Sequence, residues 1–163
     1  MGADPTTAIE QFRYLVLAAQ REGHRHLAAA LKPVGLTPSQ AEVLHVLADH
    51  GPLSLSALGE LLVCESGTNP SRLVGRLVDA GLVQRAAASG DARQVQLSLN
   101  ARGRELATAA RKADDNLHDH LRTMLRGADV PALVAALESV VQDTPAGRAL
   151  ARRKLERQGA QLS

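Results

Sequence analysis

The chain has 163 residues, 45% hydrophobic and 22% charged, with a formal charge of +2 and a pI near 9.1. That length suits one domain with a real core, and the near-balanced charge excludes a bulk polycation, so any affinity for nucleic acid must come from where the arginines sit. The single cysteine excludes an internal disulfide; with no signal-peptide pattern and no apolar run long enough to span a bilayer, the expectation is a cytoplasmic protein with no membrane partner.

The first six residues are polar. From Ala8 to Leu31, Ile9, Phe12, Val16, Ala19, Gly23, Leu27 and Ala30 recur at three- and four-residue steps, which predicts a long helix with a seam close to a heptad. Pro33 and Gly35 stop it. Thr37, Pro38 and Gln40 then supply an N-cap, a first-turn proline and a capping-box partner for a helix through Val43, Leu44, Val46 and Leu47 that ends near His50 and Gly51.

Residues 53–62 carry Leu55, Leu58, Leu61 and Leu62 at helical spacing and read as a short supporting helix. A run of turn formers, 63–69, leads to a second helix over 70–81, with Leu73, Val74, Leu77 and Val78 on one face and Ser71, Arg72, Gly75, Arg76 and Asp79 on the other. Asn69 is placed to cap it, Pro70 to open it and Gly81 to end it in the left-handed conformation. Two extended segments, 82–87 and 93–99, flank a Ser-Gly-Asp turn. In the second, Val95, Leu97 and Leu99 alternate inward against Gln94, Gln96 and Ser98 outward. Arg85 and Arg93 on this hairpin, beside Arg72 and Arg76 on the helix, put four guanidinium groups near one surface with few acids. Such a surface suits phosphates and base edges.

Asn100 is placed to cap another long helix, whose seam runs through Leu106, Ala110, Ala113, Leu117, Leu121 and Met124. Gly127 and Asp129 separate it from an apolar segment, Val130 to Val141. Thr144 and Pro145 start a basic tail with Arg148, Arg152, Arg153, Lys154 and Arg157.

The expected fold is mainly α with a small β-hairpin wing. A winged helix-turn-helix over about 36–99 sits between long helices over about 7–32 and 101–158, all within one domain, 1–163. The apolar seams of the terminal helices exceed what a monomer of this size can cover, so a homodimer built from them is expected.

Other readings compete at single residues. Taken alone, Arg72 and Arg76 are a solvated helix face; the neighbouring hairpin turns the reading to DNA. Asp91 and Arg93 form at least a turn-stabilising pair. Cys64 follows Leu61, Leu62 and Val63, and cysteine is among the most buried residue types, so an inert buried thiol is expected; the alternative is an exposed thiol activated by a helix terminus. Six histidines invite a metal, but His118 and His120 are two apart and Asp114 with His118 offers only two ligands, so no metal or other cofactor is expected. His24, His26, His45 and His50 fall near expected helix junctions, where a ligand cleft would form. No nucleophile elbow, glycine-rich phosphate loop or metal-ligand cluster speaks for an enzyme.

The order of a long helix, LTPSQAEVLHVLADHGPLSLSALGELL, PSRLVGRLVDAGLVQR and GDARQVQLSLNARGREL resembles the MarR family of winged helix-turn-helix transcriptional regulators. The more specific stretches are RLVGRLVDAGLVQR, which is similar to that family's recognition helix running into its first wing strand, and Asp91-Ala92-Arg93 with Val95 to Leu99, which is similar to its D-x-R wing signature and return strand. The resemblance implies that Arg72 and Arg76, with Thr68, Asn69 and Ser71 at the opening turn, face double-stranded DNA. It also implies that Arg93 reaches the minor groove, oriented by Asp91. Ala86 and Ala92 stand where such wings often carry further arginines, which implies a weaker groove contact. It implies a dimeric repressor of a pseudo-palindromic operator, released by a small apolar or phenolic ligand, or in a redox-sensing variant by oxidation, here at Cys64. The competing class is a winged-helix module that docks a protein.

Overall fold

The computed structural model describes residues 5–64, 70–88 and 91–161. Helix α1 (Pro5–Leu31) is continuous through Gly23, and a 3₁₀ turn over Lys32–Val34 follows, ended by Gly35 at φ 71°. His24 and His26 therefore sit inside a helix and not at a junction as expected, because long helical runs on either side of a lone glycine outweigh the roughly 1 kcal/mol it costs. Helix α2 (Pro38–His50) has the predicted start: Gln40 N–H donates to Thr37 Oγ1 at 3.3 Å and Thr37 N–H to Gln40 Oε1 at 2.9 Å.

The supporting helix, α3 (Leu55–Gly59), is shorter than the expected 53–62. Leu53 forms an antiparallel bridge with Leu97, donating to its carbonyl at 3.0 Å and accepting from its N–H at 2.7 Å, so Leu53 is extended and Ser54 becomes the N-cap. Beyond Gly59 a turn carries Leu61 and Leu62 into the core without helix. Spacing alone does not separate a buried helix from a helix plus a buried turn.

Helix α4 (Pro70–Asp79) buries Leu73, Val74 and Leu77 and ends where expected, with Gly81 at φ 65°. Gly81 N–H donates to Val78 O and Leu82 N–H to Leu77 O, both at 2.9 Å, so the left-handed glycine lets the last carbonyls find donors. The hairpin pairs β1 (Val83–Ala88) with β2 (Asp91–Leu99), Val83 opposite Leu99 and Arg85 opposite Leu97. Leu97 and Leu99 are buried, but Val95 is 51% exposed, contrary to the inward alternation expected of it. The ladder outruns the body of the protein at that point, and its partner Ala87 is exposed as well.

Helix α5 (Ala101–Met124) is capped by Asn100, whose Oδ1 accepts from Gly103 N–H at 2.8 Å and whose Nδ2 donates to Gly81 O at 2.7 Å. One side chain thus fastens the end of α4 to the start of α5. A Cβ on Gly103 would lie 2.1 Å from Leu82 O, so only glycine permits this approach. Ala107, Ala110 and Ala113 continue the close contact along α5, where their small side chains let it lie against α1 and α2.

The core gathers Leu31, Val43, Leu44, Leu58, Val74 and Leu77 where α1, α2, α3 and α4 meet. Helix α6 (Val130–Val141), capped by Asp129, buries none of its residues, and the expected basic tail is itself helical, α7 (Pro145–Gln161). Among the described residues no helix is long and apolar enough to cross a membrane.

Candidate nucleic-acid interface

Three apolar side chains seat α4 on the core, and that fixes where its polar face points. Arg72 and Arg76, one turn apart, are exposed on that face together with Asp79, while Ser71 and Gly75 are half-buried. The two arginines line a groove of about 640 Å³ between α4, α1 and the start of α2, with His24, Lys32 and Ser39 contributing and, among the described residues, no carboxylate in the lining. Lys32 and His24 were not legible as members of this surface, since the 3₁₀ turn that brings Lys32 opposite α4 is set by tertiary packing.

Several other arginines are engaged by acids. Arg111 pairs with Asp49, Arg152 with Glu60, Arg153 with Glu42 and Arg122 with Asp119. Against that background the groove beside α4 is a local concentration of positive charge in a nearly neutral molecule.

Of the four arginines expected together, the structure brings two into one groove. Arg85 is exposed on β1, on the hairpin face shared with Val83 and Leu97, and is not part of the groove lining. Asp91 and Arg93 begin β2, and their side chains lie outside the described residues, as do Thr68 and Asn69 altogether.

A second cavity, about 750 Å³, lies between α2 and α5 and is lined by His45, Arg111, Asp114, His118, Cys64 and Arg153, among others. His45 Nδ1 stands 3.2 Å from Asp114 Oδ2. Burial pushes the imidazole below its ordinary pKa, outweighing the opposing pull of Asp114, so the ring is neutral near pH 7 and the contact is not a full ion pair. Its Nε2 is buried and makes no hydrogen bond of ordinary geometry. Among the described residues no three His, Cys, Asp or Glu side chains converge as a metal set.

Cys64 is exposed, which corrects the expectation of a buried thiol. Its N–H donates to Glu42 Oε2 at 2.9 Å; the backbone is drawn inward to the carboxylate and the side chain is turned to the cavity mouth.

Residues 34–94, which span α2 to the return strand of the hairpin, match the sequence model of the MarR family. The winged-helix segment is thus similar to the MarR family. Solved MarR structures from E. coli share the fold over most of this chain. A cysteine-to-serine variant complexed with operator DNA aligns with TM-score 0.71 at 23% identity, covering 85% of this chain and 99% of that one. The wild-type apo form aligns with TM-score 0.63 at 24% identity, covering 78% and 95%. An organohalide-sensing transcriptional regulator in its ligand-free form aligns with TM-score 0.71 at 16% identity, covering 88% and 87%. No curated protein sequence matches the chain. In the winged-helix fold that these structures share, α4 is the second helix of the helix-turn-helix and β1 with β2 the wing.

Proposed function

We propose that the protein is a dimeric, sequence-specific DNA-binding transcriptional regulator that represses from a pseudo-palindromic operator. The observation that carries this reading is the groove in which Arg72 and Arg76 stand exposed, with Lys32 and no acid among its described lining residues, on a helix whose other face is locked into the core. Guanidinium groups so placed match guanine edges and phosphates at once. On this reading Thr68, Asn69 and Ser71 are assigned to DNA contact together with that helix, and Arg93, with Asp91, to the adjoining minor groove. The E. coli relative complexed with operator DNA supports this assignment by fold.

Dimerisation through the terminal helices accounts for the apolar surface they leave open. On α6, Leu133, Val134 and Leu137 are exposed, and on α1 so are Ile9, Phe12 and Val16. Covering such surface is worth about 25 cal/mol for each Å² removed from water. The chain is then one unit with a winged helix-turn-helix core over 36–99 and dimerisation helices over 7–32 and 101–158.

Release by a small apolar or phenolic ligand is assigned to the cavity between α2 and α5, where Leu27, Ala41 and Val46 offer apolar contact and the imidazoles of His45 and His118, with Arg111, offer polar groups to a hydroxyl or an anion. The exposure of Cys64 favours a second route, oxidation of its thiol. Cys64→Ser separates the two, since it removes a peroxide response and leaves a ligand response.

The test of the function is salt. Binding to duplex DNA should weaken log-linearly as salt rises, with a slope of several counterions. A salt-insensitive complex, or none with DNA, points to a protein-docking module instead.

A further inference from the structure

Glu42 is a carboxylate on the buried side of α2, 8% exposed, flanked by the core residues Ala41 and Val43. Burying a charge there is costly unless every lone pair finds a donor. Three donors meet it. Oε1 accepts from Val63 N–H at 2.8 Å and from Arg153 Nη2 at 2.5 Å, and Oε2 accepts from Cys64 N–H at 2.9 Å. The same guanidinium donates through Nε to Leu61 O at 2.6 Å.

Arg153 and Glu42 thus enclose the backbone of residues 61–64, the last described residues before α4, from two sides. Arg153 comes from α7, far along the chain. Helix α7 is joined closely to α6, for a Cβ on Gly147 would lie 2.0 Å from Val141 O, so the two helices share one rigid corner. Whatever covers the apolar face of α6 therefore also holds α7, and with it the guanidinium over Glu42.

We infer that Arg153 is a positioning residue for DNA recognition: through Glu42 it fixes the backbone at Leu61, Val63 and Cys64, and so couples the seating of α6 and α7 to the pose of α4. This rests on the reading of α4 as a DNA-recognition helix. The arrangement has the character of a switch, because a buried carboxylate that loses its one cationic partner does not settle halfway; the chain around it must move or admit water. Arg152 on the same helix supplies the internal comparison. It pairs with Glu60, but both side chains are about half exposed, and such a pair contributes little.

The experiment uses the full chain and compares Arg153→Met, Arg153→Lys and Arg152→Met with the unaltered protein. Three quantities are read: amide hydrogen exchange at Val63 and Cys64 without DNA, affinity for a duplex enriched by selection, and affinity for a random duplex. Arg153→Met should speed exchange at both amides and weaken the selected duplex about fivefold or more, with a much smaller change on the random duplex. Arg153→Lys keeps the charge but not both bonds and should fall between, which keeps the test readable if the methionine variant folds poorly. Arg152→Met should match the unaltered protein. Unchanged affinity in both Arg153 variants overturns the inference, and so does an equal loss on both duplexes, which would make Arg153 a phosphate contact. If the unaltered protein binds neither duplex, the DNA-binding reading fails and takes the coupling with it. Selected-duplex affinity that is present in the unaltered protein and lost only in the Arg153 variants supports the positioning role.

Discussion

At the scale of residues, two side chains carry the sharpest expectations. Arg72 is exposed in the opening turn of α4, in a groove where none of the described lining residues is acidic. Arg72→Ala should cost about 1–3 kcal/mol on the selected duplex and relax specificity at one base position, as read by competition binding; an equal loss on random DNA would reduce it to a phosphate contact. His45 carries the pH dependence. Its folded pKa lies below its ordinary value because burial penalises the charged ring, while the unfolded chain takes up the proton at about 6.5. The stability conferred by the neutral ring is therefore complete above that pH and is lost as pH falls through the lower, folded value. Thermal midpoints should drop between about pH 7 and 5, and His45→Asn should flatten that drop. Asp114 works against the shift, so Asp114→Asn should steepen it.

At the scale of elements, the capped helices are legible in the sequence and the packed turns are not. Thr37, Pro38 and Gln40 announce α2 because a capping box is local chemistry, satisfied by residues three apart. Gly81 and Asn100 announce the end of α4 and the start of α5 for the same reason. Leu53 reads as helix because its partner, Leu97, is remote in sequence, and Val95 reads as buried because alternation does not say how far the body extends beneath a hairpin. At the candidate interface, Arg72 and Arg76 follow from the helical period alone, whereas Lys32 joins them only through the fold. The same limit hides Glu42, a carboxylate amid α2 core residues whose partners are the backbone at Val63 and Cys64 and a guanidinium more than a hundred residues on. Gly103 tests the seating of the hairpin. Gly103→Ala would drive a methyl into Leu82 O and should lower the denaturant midpoint by the equivalent of about 1–3 kcal/mol or more. A variant with unchanged stability would show that α5 can back away from the hairpin at no cost.

At the scale of the whole molecule, the proposed function needs two surfaces to work together, an apolar one on α1 and α6 and a cationic one beside α4. Truncation before Asp129 removes α6 and α7 and should shift sedimentation toward monomer or aggregate. It should also weaken operator binding although Arg72, Arg76 and Arg93 remain. A truncated protein that stays a folded dimer with full affinity would remove the last two helices from the interface. If a two-fold axis relates two copies, their recognition helices enter successive major grooves about 34–36 Å apart, and the DNA must carry the same symmetry. The most direct measurement is selection and sequencing of duplexes bound by the purified full chain. The expected result is an enriched inverted repeat whose half-site centres lie about 10 base pairs apart, or a multiple of that turn. A pool that shows no enrichment, or enriches a lone half-site without its mirror, would contradict a dimeric, sequence-specific regulator.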